Sequence, residues 1–409
     1  MHNPSARPAA SSVLGLVLTC LIILPALVSA AAGNRVVAWG AGAVTNAADG
    51  YDFGQAIVPA SLTNAVCLAG GGLHSLALRS NASLQGWGDN QLGETALPAT
   101  SNYLAIACGF FHSLALQTNG LVVAAGDDSA GQIDLPANLS NVVAIACGFY
   151  HSLALESNGV VLAWGTSSDT NVIKSNDGVD YGQSLVPAGL SNVVAIAGGG
   201  FHSLALKSDG TVAAWGYNYY GETNLPPGLS NVVAIAAGAA HNLVLKANGT
   251  VVAWGENLFG QTNVPAGLSN VVAIAAGGWH NLALKSDGTV VAWGAGTGNN
   301  TNVDFQQCTV PAGLTNVIQI AAGVVHSLAL VGSAPPVVKA PLSVAGYKTN
   351  TFTATLPTRN GRVYCLEYAS SLTNQTWSSF PLQPGNGGAL RFVDPSASAK
   401  QRFYRVNQW

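Results

Sequence analysis

"VVAIAAGGWHNLALKSDGTVVAWG", Val271 to Gly294, is one of seven variants of a single phrase in this chain, and each variant carries one histidine in the same frame. The histidines are His74, His112, His151, His202, His241, His280 and His326, mostly 38 or 39 residues apart. A Gly stands three before each (Gly277 for His280), and Leu two and four after (Leu282, Leu284). A Trp-Gly pair follows at a fixed distance, as Trp293-Gly294, with only Ala125-Gly126 departing from it. A loop comes next, often with Gly-Gln, and then a Pro such as Pro265 or Pro311.

The unit reads as four extended segments. "VVAIAAG" and "HNLALK" are joined by a tight Gly-containing turn. "SDGT" and "SNGV" supply hairpin turns, where Asp-Gly and Asn-Gly tolerate positive φ. "TVVAWG" is a third strand, and "QTNVP" reads as a short fourth one, its Pro suited to an edge. The strands are apolar on both faces, Leu282 and Leu284 on one and Ala283 on the other, so each small sheet is expected to be sandwiched between neighbours. Four antiparallel strands in about 40 residues predict a propeller blade. An open solenoid is the alternative, and the ends of the repeat region oppose it. The region begins mid-unit at "RVVAWG" (Arg35 to Gly40) and stops mid-unit at "VVHSLALVG" (Val324 to Gly332). A ring has a reason to split one unit between its two ends, because pairing them in one sheet removes the open edges. The expected fold is all-β, a seven-bladed propeller closed by N- and C-terminal strands in one blade.

Composition fits this. Nearly half the residues are apolar, 8% are charged, and there are 48 glycines and one methionine, which suits buried strands and tight turns. A net charge of −3 without a basic run gives no electrostatic reason to expect nucleic acid or an anionic membrane as partner. The first thirty residues read as a secretory signal peptide: a polar start with Arg7, an apolar run from Val13 to Val28, then Ser29, Ala30 and Ala31. The run is short for a membrane span and Pro25 interrupts it. Thr19 before Cys20, with apolar sequence after it, argues against lipidation there. A secreted or envelope-associated chain starting near Ala31 is expected. Cys67, Cys108, Cys147, Cys308 and Cys365 then remain, an odd, scattered set that makes no disulfide framework. Cys108 and Cys147 occupy equivalent repeat positions and read as small buried residues.

The pattern "G-x-x-H-S/N-L-A/V-L … V-x-A-W-G" resembles the regulator of chromosome condensation repeat, over roughly Arg35 to Gly332, within an expected propeller domain of residues 31–332. With "GQTNVPAGLSNVVAIAAG" it is especially similar to bacterial secreted members, one of which is a propeller-type β-lactamase inhibitor protein. The resemblance implies a seven-bladed propeller. It also implies that aromatic and acidic residues of one face grip a protein partner, with the target itself not carried over.

The histidines admit two readings. A metal or catalytic site needs ligands converging on a point. Seven histidines in one repeat frame are spread around a ring, so a structural role is expected, each ring nitrogen meeting a backbone carbonyl freed by the turn or by the adjacent blade. Trp39, Trp87, Trp164, Trp215, Trp254 and Trp293 are likewise expected between blades, each indole N–H with a partner. No cofactor is expected. No nucleophile–base pair, P-loop, CxxC pair or HExxH motif is present, so a non-enzyme is expected.

What recurs explains the fold, so function is sought where copies differ. The first-to-second turns carry Phe110, Phe111, Phe149, Tyr150, Phe201 and Trp279. The third-to-fourth loops carry Tyr217, Tyr219, Tyr220, Phe259, Asp127 and Asp128. Both sets emerge on one face in a meander of this kind, and aromatics with few charges suit an interface; packing into gaps between blades is the structural alternative. Three enlarged loops (Ala41 to Phe53, Thr166 to Tyr181, Ala295 to Gln307) hold Asp49, Asp52, Asp177, Asp180 and Asp304. These are weak calcium candidates, since Asp-Gly is also an ordinary turn dipeptide.

A Pro-rich linker, residues 333–341, leads to residues 342–409. There "TFTATLP", "GRVYCLEYAS", "TWSSFPL", "ALRFVDP" and "QRFYRVNQW" read as five strands of a small β-sandwich-like module. The leading expectation is a secreted, monomeric binding protein that takes a protein or polysaccharide through the aromatic face. A guanine-nucleotide exchange factor-like regulator of a small GTPase, suggested by the resemblance, and a propeller enzyme acting on polysaccharide are the alternatives. The last requires a carboxylate or histidine cluster on the axis.

Overall fold

The computed structural model describes residues 33–43, 45–46, 51–166, 180–296, 304–332, 344–348, 351–358, 362–369, 377–386, 388–395 and 402–408. Among them, seven three-stranded antiparallel sheets form a ring. Blade 1 takes Val317–Ala322 and His326–Val331 as its first and second strands and, from the other end of the repeat region, Arg35–Gly40 as its third. Blade 2 is Ala65–Gly70, His74–Arg79 and Leu84–Gly88, and blade 3 is Tyr103–Cys108, His112–Gln117 and Val122–Gly126. Blade 4 is Val142–Cys147, His151–Glu156 and Val161–Gly165, and blade 5 is Val193–Gly198, His202–Lys207 and Val212–Gly216. Blade 6 is Val232–Ala237, His241–Lys246 and Val251–Gly255, and blade 7 is Val271–Ala276, His280–Lys285 and Val290–Gly294. Closure is in full register, from Arg35 opposite Val331 to Gly40 opposite His326.

The expected fourth strand is absent from each described blade. "QTNVP" and its counterparts are turns. In six blades the carbonyl at the head of this segment is instead taken by side chains of the next blade. Gln261 O accepts both Trp293 Nε1–H (3.0 Å) and Asn281 Nδ2–H (2.7 Å). Gln55, Gln132, Gln183, Glu222 and Gln307 present the same carbonyl to Trp87, Trp164, Trp215, Trp254 and Trp39 at 2.8–3.0 Å. The buried indoles are thus satisfied, as their recurrence implied.

The histidines are fully buried, and they differ from expectation in their partner. Each Nε2 reaches a Ser or Asn side chain of the next blade rather than a carbonyl. The bonds run His74–Ser113 (2.9 Å), His112–Ser152 (3.0 Å), His151–Ser203 (2.9 Å), His202–Asn242 (2.7 Å), His241–Asn281 (2.7 Å), His280–Ser327 (2.9 Å) and His326–Ser75 (2.8 Å). The last one closes the circle. Ser152 and Asn242 in turn donate to Gln132 O and Glu222 O, which leaves their oxygens as acceptors and fixes the proton on Nε2. Nδ1 has no hydrogen-bond partner among the described residues. It faces the glycine three before: a Cβ on Gly148 would lie 2.0 Å from His151 Cε1 and 2.3 Å from its Nδ1. That glycine is required for space, not for φ.

Each first strand carries a register shift at its start, and in six blades, all but blade 3, the Asn just before it has positive φ, 48–57°, at Asn64, Asn141, Asn192, Asn231, Asn270 and Asn316. Asn tolerates this left-handed geometry better than other side chains. Apolar clusters then run blade to blade, with Leu204, Leu206 and Val232 against Val244 and Trp254 in one example.

Beyond the ring, residues 344–408 form two sheets with a shared core of Phe352, Leu356, Tyr364, Leu366 and Phe392. They include strands Val344–Lys348, Ser378–Ser379 and Gln383–Pro384 besides the larger ones. This module rests on the hairpin end of the ring. Leu382 N–H bonds Ala247 O (3.1 Å), and Val363, Cys365 and Leu382 pack with Val271 and Val272. The described cysteines are all free thiols.

Burial drives the imidazoles far below their ordinary range, to about 3 in His74, His151, His280 and His326 and about 4 in His112, His202 and His241. In the unfolded chain they protonate near pH 6.5. The unfolded state therefore binds more protons between these values, and native stability is full above about pH 6.5 and is lost as pH falls through that window. Urea midpoints should drop steadily from pH 7.5 to pH 5, with several protons taken up per unfolding event. A midpoint that does not move over this range would contradict the buried, neutral assignment.

Candidate functional site

The turn before each histidine and the loop after each third strand leave the blade at the same end, because His and the strand-ending Gly are paired (His151 opposite Gly165). One hydrogen bond ties the two together in every blade. The first loop residue donates its N–H to the carbonyl of the residue preceding His, as in Asp127 to Phe111 (2.8 Å), Tyr217 to Phe201 (2.9 Å) and Ala295 to Trp279 (2.8 Å). The recurring Gln or Glu braces the loop from below by accepting the N–H two residues earlier: Ala130 to Gln132 (2.8 Å), Tyr181 to Gln183 (2.8 Å), Tyr220 to Glu222 (2.9 Å), Phe259 to Gln261 (2.8 Å). The repeated Gly-Gln was the sequence signal for this brace.

On that frame the variable aromatics gather into a continuous network. Phe111 meets Phe110 (ring centroids 4.3 Å), Phe110 meets Phe149 of the next blade (4.9 Å), and Phe149 meets Phe201 of the one after (5.8 Å). Tyr150 stacks on Phe201 at 6.0 Å. Tyr181, which sequence reasoning passed over as the end of an enlarged loop, links Phe201 (5.5 Å) to Tyr217 (4.5 Å). Tyr217 continues to Tyr219 (6.3 Å) and Tyr219 to Tyr220 (4.9 Å). Phe259 pairs with Trp279 at 6.3 Å, apart from this run, and Tyr51 pairs with Phe305 at 4.9 Å.

Depth divides these rings. Phe110, Phe149 and Trp279, with Phe53 and Phe305, pack around Ala41, Leu73, Val324 and Val325 in an apolar plug over the axis. Tyr219 is the outermost, 76% exposed, with Tyr181 and Tyr220 exposed in the same cluster, and Tyr51 is exposed against Phe305. Phe111, Tyr150, Phe201, Tyr217 and Phe259 are half-buried.

Asp127 is committed to its own loop: it accepts from Ser129 Oγ (2.6 Å) and Gln132 Nε2 (2.7 Å). Asp128 Oδ1 accepts Ile133 N–H (3.2 Å). Among the calcium candidates, Asp52 accepts Gly42 N–H, Asp304 accepts Gln306 N–H (3.0 Å) and Asp180 is buried. Asp49 and Asp177 lie outside the described residues. No group of three or more potential metal-ligating side chains occurs among the described residues.

Beneath the plug the axis holds a cavity of about 120 Å³, lined largely by glycines such as Gly71, Gly109 and Gly199 and by Cys108 and Cys147. The histidines stand behind the glycines and do not converge on it. Burial pushes the Cys108 thiol up to about 12 and raises that of Cys147 as well, so neither is a thiolate nucleophile. The carboxylate or histidine cluster that a propeller enzyme needs on the axis is missing among the described residues.

Five segments of the chain, residues 104–132, 142–170, 193–222, 232–261 and 271–302, match the regulator of chromosome condensation (RCC1) repeat. The chain thus carries RCC1 repeats on a propeller ring. Solved structures agree in fold. Prp20p from Saccharomyces cerevisiae, described with its binding properties to Gsp1p and histones, superposes with a TM-score of 0.58 at 19% identity over 75% of this chain and 93% of its own. Yeast RCC1 (Prp20) bound to Kap60 gives 0.58 at 19% identity over 81% and 95%, and human WBSCR16 gives 0.53 at 21% over 73% and 99%. No curated protein matches the chain.

Two braces are Glu where most copies have Gln, and both are buried: Glu94 and Glu222. Gln132 and Gln261 use their Nε2 to donate to Asp127 and Glu256 (2.7 and 3.0 Å), whereas Glu94 Oε1 and Glu222 Oε1 have no partner. Burial raises both carboxyls, and Asp89, at the position of Asp127, raises Glu94 further. A folded value above the unfolded one, about 4.3, means stability present at low pH and lost as pH rises through the folded value. Glu94→Gln and Glu222→Gln should therefore raise the urea midpoint at pH 7.5, with the gain shrinking below about pH 4.5. Equal or lower midpoints at pH 7.5 would show that the carboxylates are satisfied as they stand.

Proposed function

We propose that this chain is a secreted, non-catalytic binding protein that recognises a protein partner through the aromatic loop face. The supporting observation is the aromatic network from Phe111 to Tyr220, which crosses blades 3 to 5 and is built from residues that break the repeat. Tyrosine and tryptophan combine large contact area with a polar edge, and such residues dominate the energetics of interfaces. A face that is aromatic, half-buried and braced from below also loses little conformational freedom on binding. The leader-like first thirty residues support export of the mature chain, and the RCC1-repeat fold supports protein interaction. The C-terminal module sits at the opposite end and leaves the loop face open.

A second reading is regulation of a small GTPase, favoured by the likeness to Prp20p, a protein studied for its binding to Gsp1p. The leader-like N-terminus opposes it, because such GTPases work inside cells. Stimulated nucleotide release from a small GTPase by the mature chain would reverse the order of the two readings.

The combined variant Phe111→Ala, Tyr150→Ala, Tyr219→Ala should lose at least tenfold in affinity for whatever protein the mature chain captures from extracellular extract, with an unchanged melting midpoint for the ring. Unaltered capture by a folded variant would remove this face as the binding surface.

A further inference from the structure

The charges of the propeller are sorted by end. Every described Lys and Arg of the ring (Arg35, Arg79, Lys207, Lys246 and Lys285) lies at or beside the hairpin end, at the start of the third strand of blade 1 or the finish of a second strand. Every described Asp and Glu of the ring other than Glu156, Asp209 and Asp287 lies in the loops that leave the third strands. The hairpin end neutralises part of its charge locally, with Lys207 3.8 Å from Asp209 and Lys285 3.2 Å from Asp287. The loop face has no Lys or Arg among the described residues; Lys174 lies outside them. A net charge of −3 for the whole chain hides this polarity.

The exposed tyrosines share the loop face, whose loops also carry the half-buried Asp127 and Asp304 and the exposed Asp128 and Asp134. Tyr181, Tyr217, Tyr219 and Tyr220 form one cluster, and the two carboxyl side chains next to it, Asp180 and the Glu222 that accepts from the backbone of Tyr220, are buried. Tyr217 and Tyr219 are near parallel, 19° between planes at 6.3 Å, and Tyr219 presents most of its surface to solvent. An aromatic face attracts a guanidinium or ammonium through its quadrupole, and like-signed carboxylates around it add a long-range field that steers cations and repels anions.

Resting on the reading of this face as a binding surface, we propose that its partner presents a cationic polypeptide segment, with Arg or Lys side chains laid over the Tyr181–Tyr220 cluster. The polarity also orients the complex, since the cationic hairpin end and the C-terminal module face away from such a partner. A polyanion or a neutral polysaccharide gains nothing from the carboxylates.

Fluorescence anisotropy of the mature chain with labelled deca-arginine and deca-glutamate peptides tests this. Deca-arginine should bind, weaken at least tenfold between 50 and 300 mM salt as screening shortens the field, and weaken at least tenfold again in Tyr219→Ala, Tyr220→Ala. Glu156→Gln, at the hairpin end, should leave it unchanged. Deca-glutamate binding of equal strength, or deca-arginine binding indifferent to the tyrosine pair, would overturn the proposal. Capture of a protein that is lost in the tyrosine variant but persists at 300 mM salt and in excess deca-arginine would overturn the cationic partner and leave the face as the binding surface. Capture that survives the tyrosine and phenylalanine changes would overturn both.

Discussion

The hydrogen bond from a buried imidazole Nε2–H to the Ser or Asn of the next blade is the constraint on which the rest of this structure hangs. It forms only if the facing residue has an oxygen to accept with and if nothing larger than hydrogen occupies the glycine position behind the ring, and burial keeps the imidazole neutral. That same Ser or Asn passes the bond on to the loop carbonyl that also receives the indole N–H. His, Gly, Ser or Asn, Trp and Gln or Glu are therefore one linked network at six of the blade junctions, while between blades 2 and 3 Ala125 stands in place of the Trp and Ser113 Oγ turns to Cys108 Sγ. The imidazole bond itself recurs at all seven junctions and closes the circle through His326 and Ser75. Buried polar networks of this kind are costly when one member is missing and rigid when all are present.

Rigidity at the junction is what gives the loop face its meaning. The loops are held at both ends, by the N–H to the carbonyl before His and by the Gln or Glu brace, so their side chains project from fixed points. Variation there changes what the face presents without touching the network beneath it. Phe110 and Phe149 fill the space over the axis in two blades, where Ala239 stands at the same position in a third. The plug thus adjusts to the residues available, while Tyr219 and Tyr220 stand clear of it.

Much of this was legible in the amino-acid order. A unit split between the two ends of the repeat region is informative because a linear stack has no use for it, and the in-register pairing of Arg35–Gly40 with His326–Val331 is the physical counterpart. Tryptophans in frame implied satisfied indoles. The histidine partner was not legible, since it lies about 40 residues away and is reached only when neighbouring blades are set side by side. The missing fourth strand was hidden too: "QTNVP" has strand-like composition, and the bonds its first carbonyl accepts from the neighbour's Trp and Asn are set only across blades. Depth on the face also escaped the sequence. Phe110 and Tyr219 look equally available as letters, and only the packing of Phe110 against the cluster of Leu73 and Val324 separates it from the exposed Tyr219. Asp127 and Asp128 read as face residues and prove to be braces of their own loop.

Native-state hydrogen exchange on the amides of Arg35–Gly40 addresses ring closure most directly. If the shared blade locks the circle, these amides open with the same free energy as those of His202–Lys207 in blade 5, at the level of global unfolding. Exchange of Arg35–Gly40 many orders of magnitude faster than that, with blade 5 still protected, would mean that the ring is stable without its closing strand.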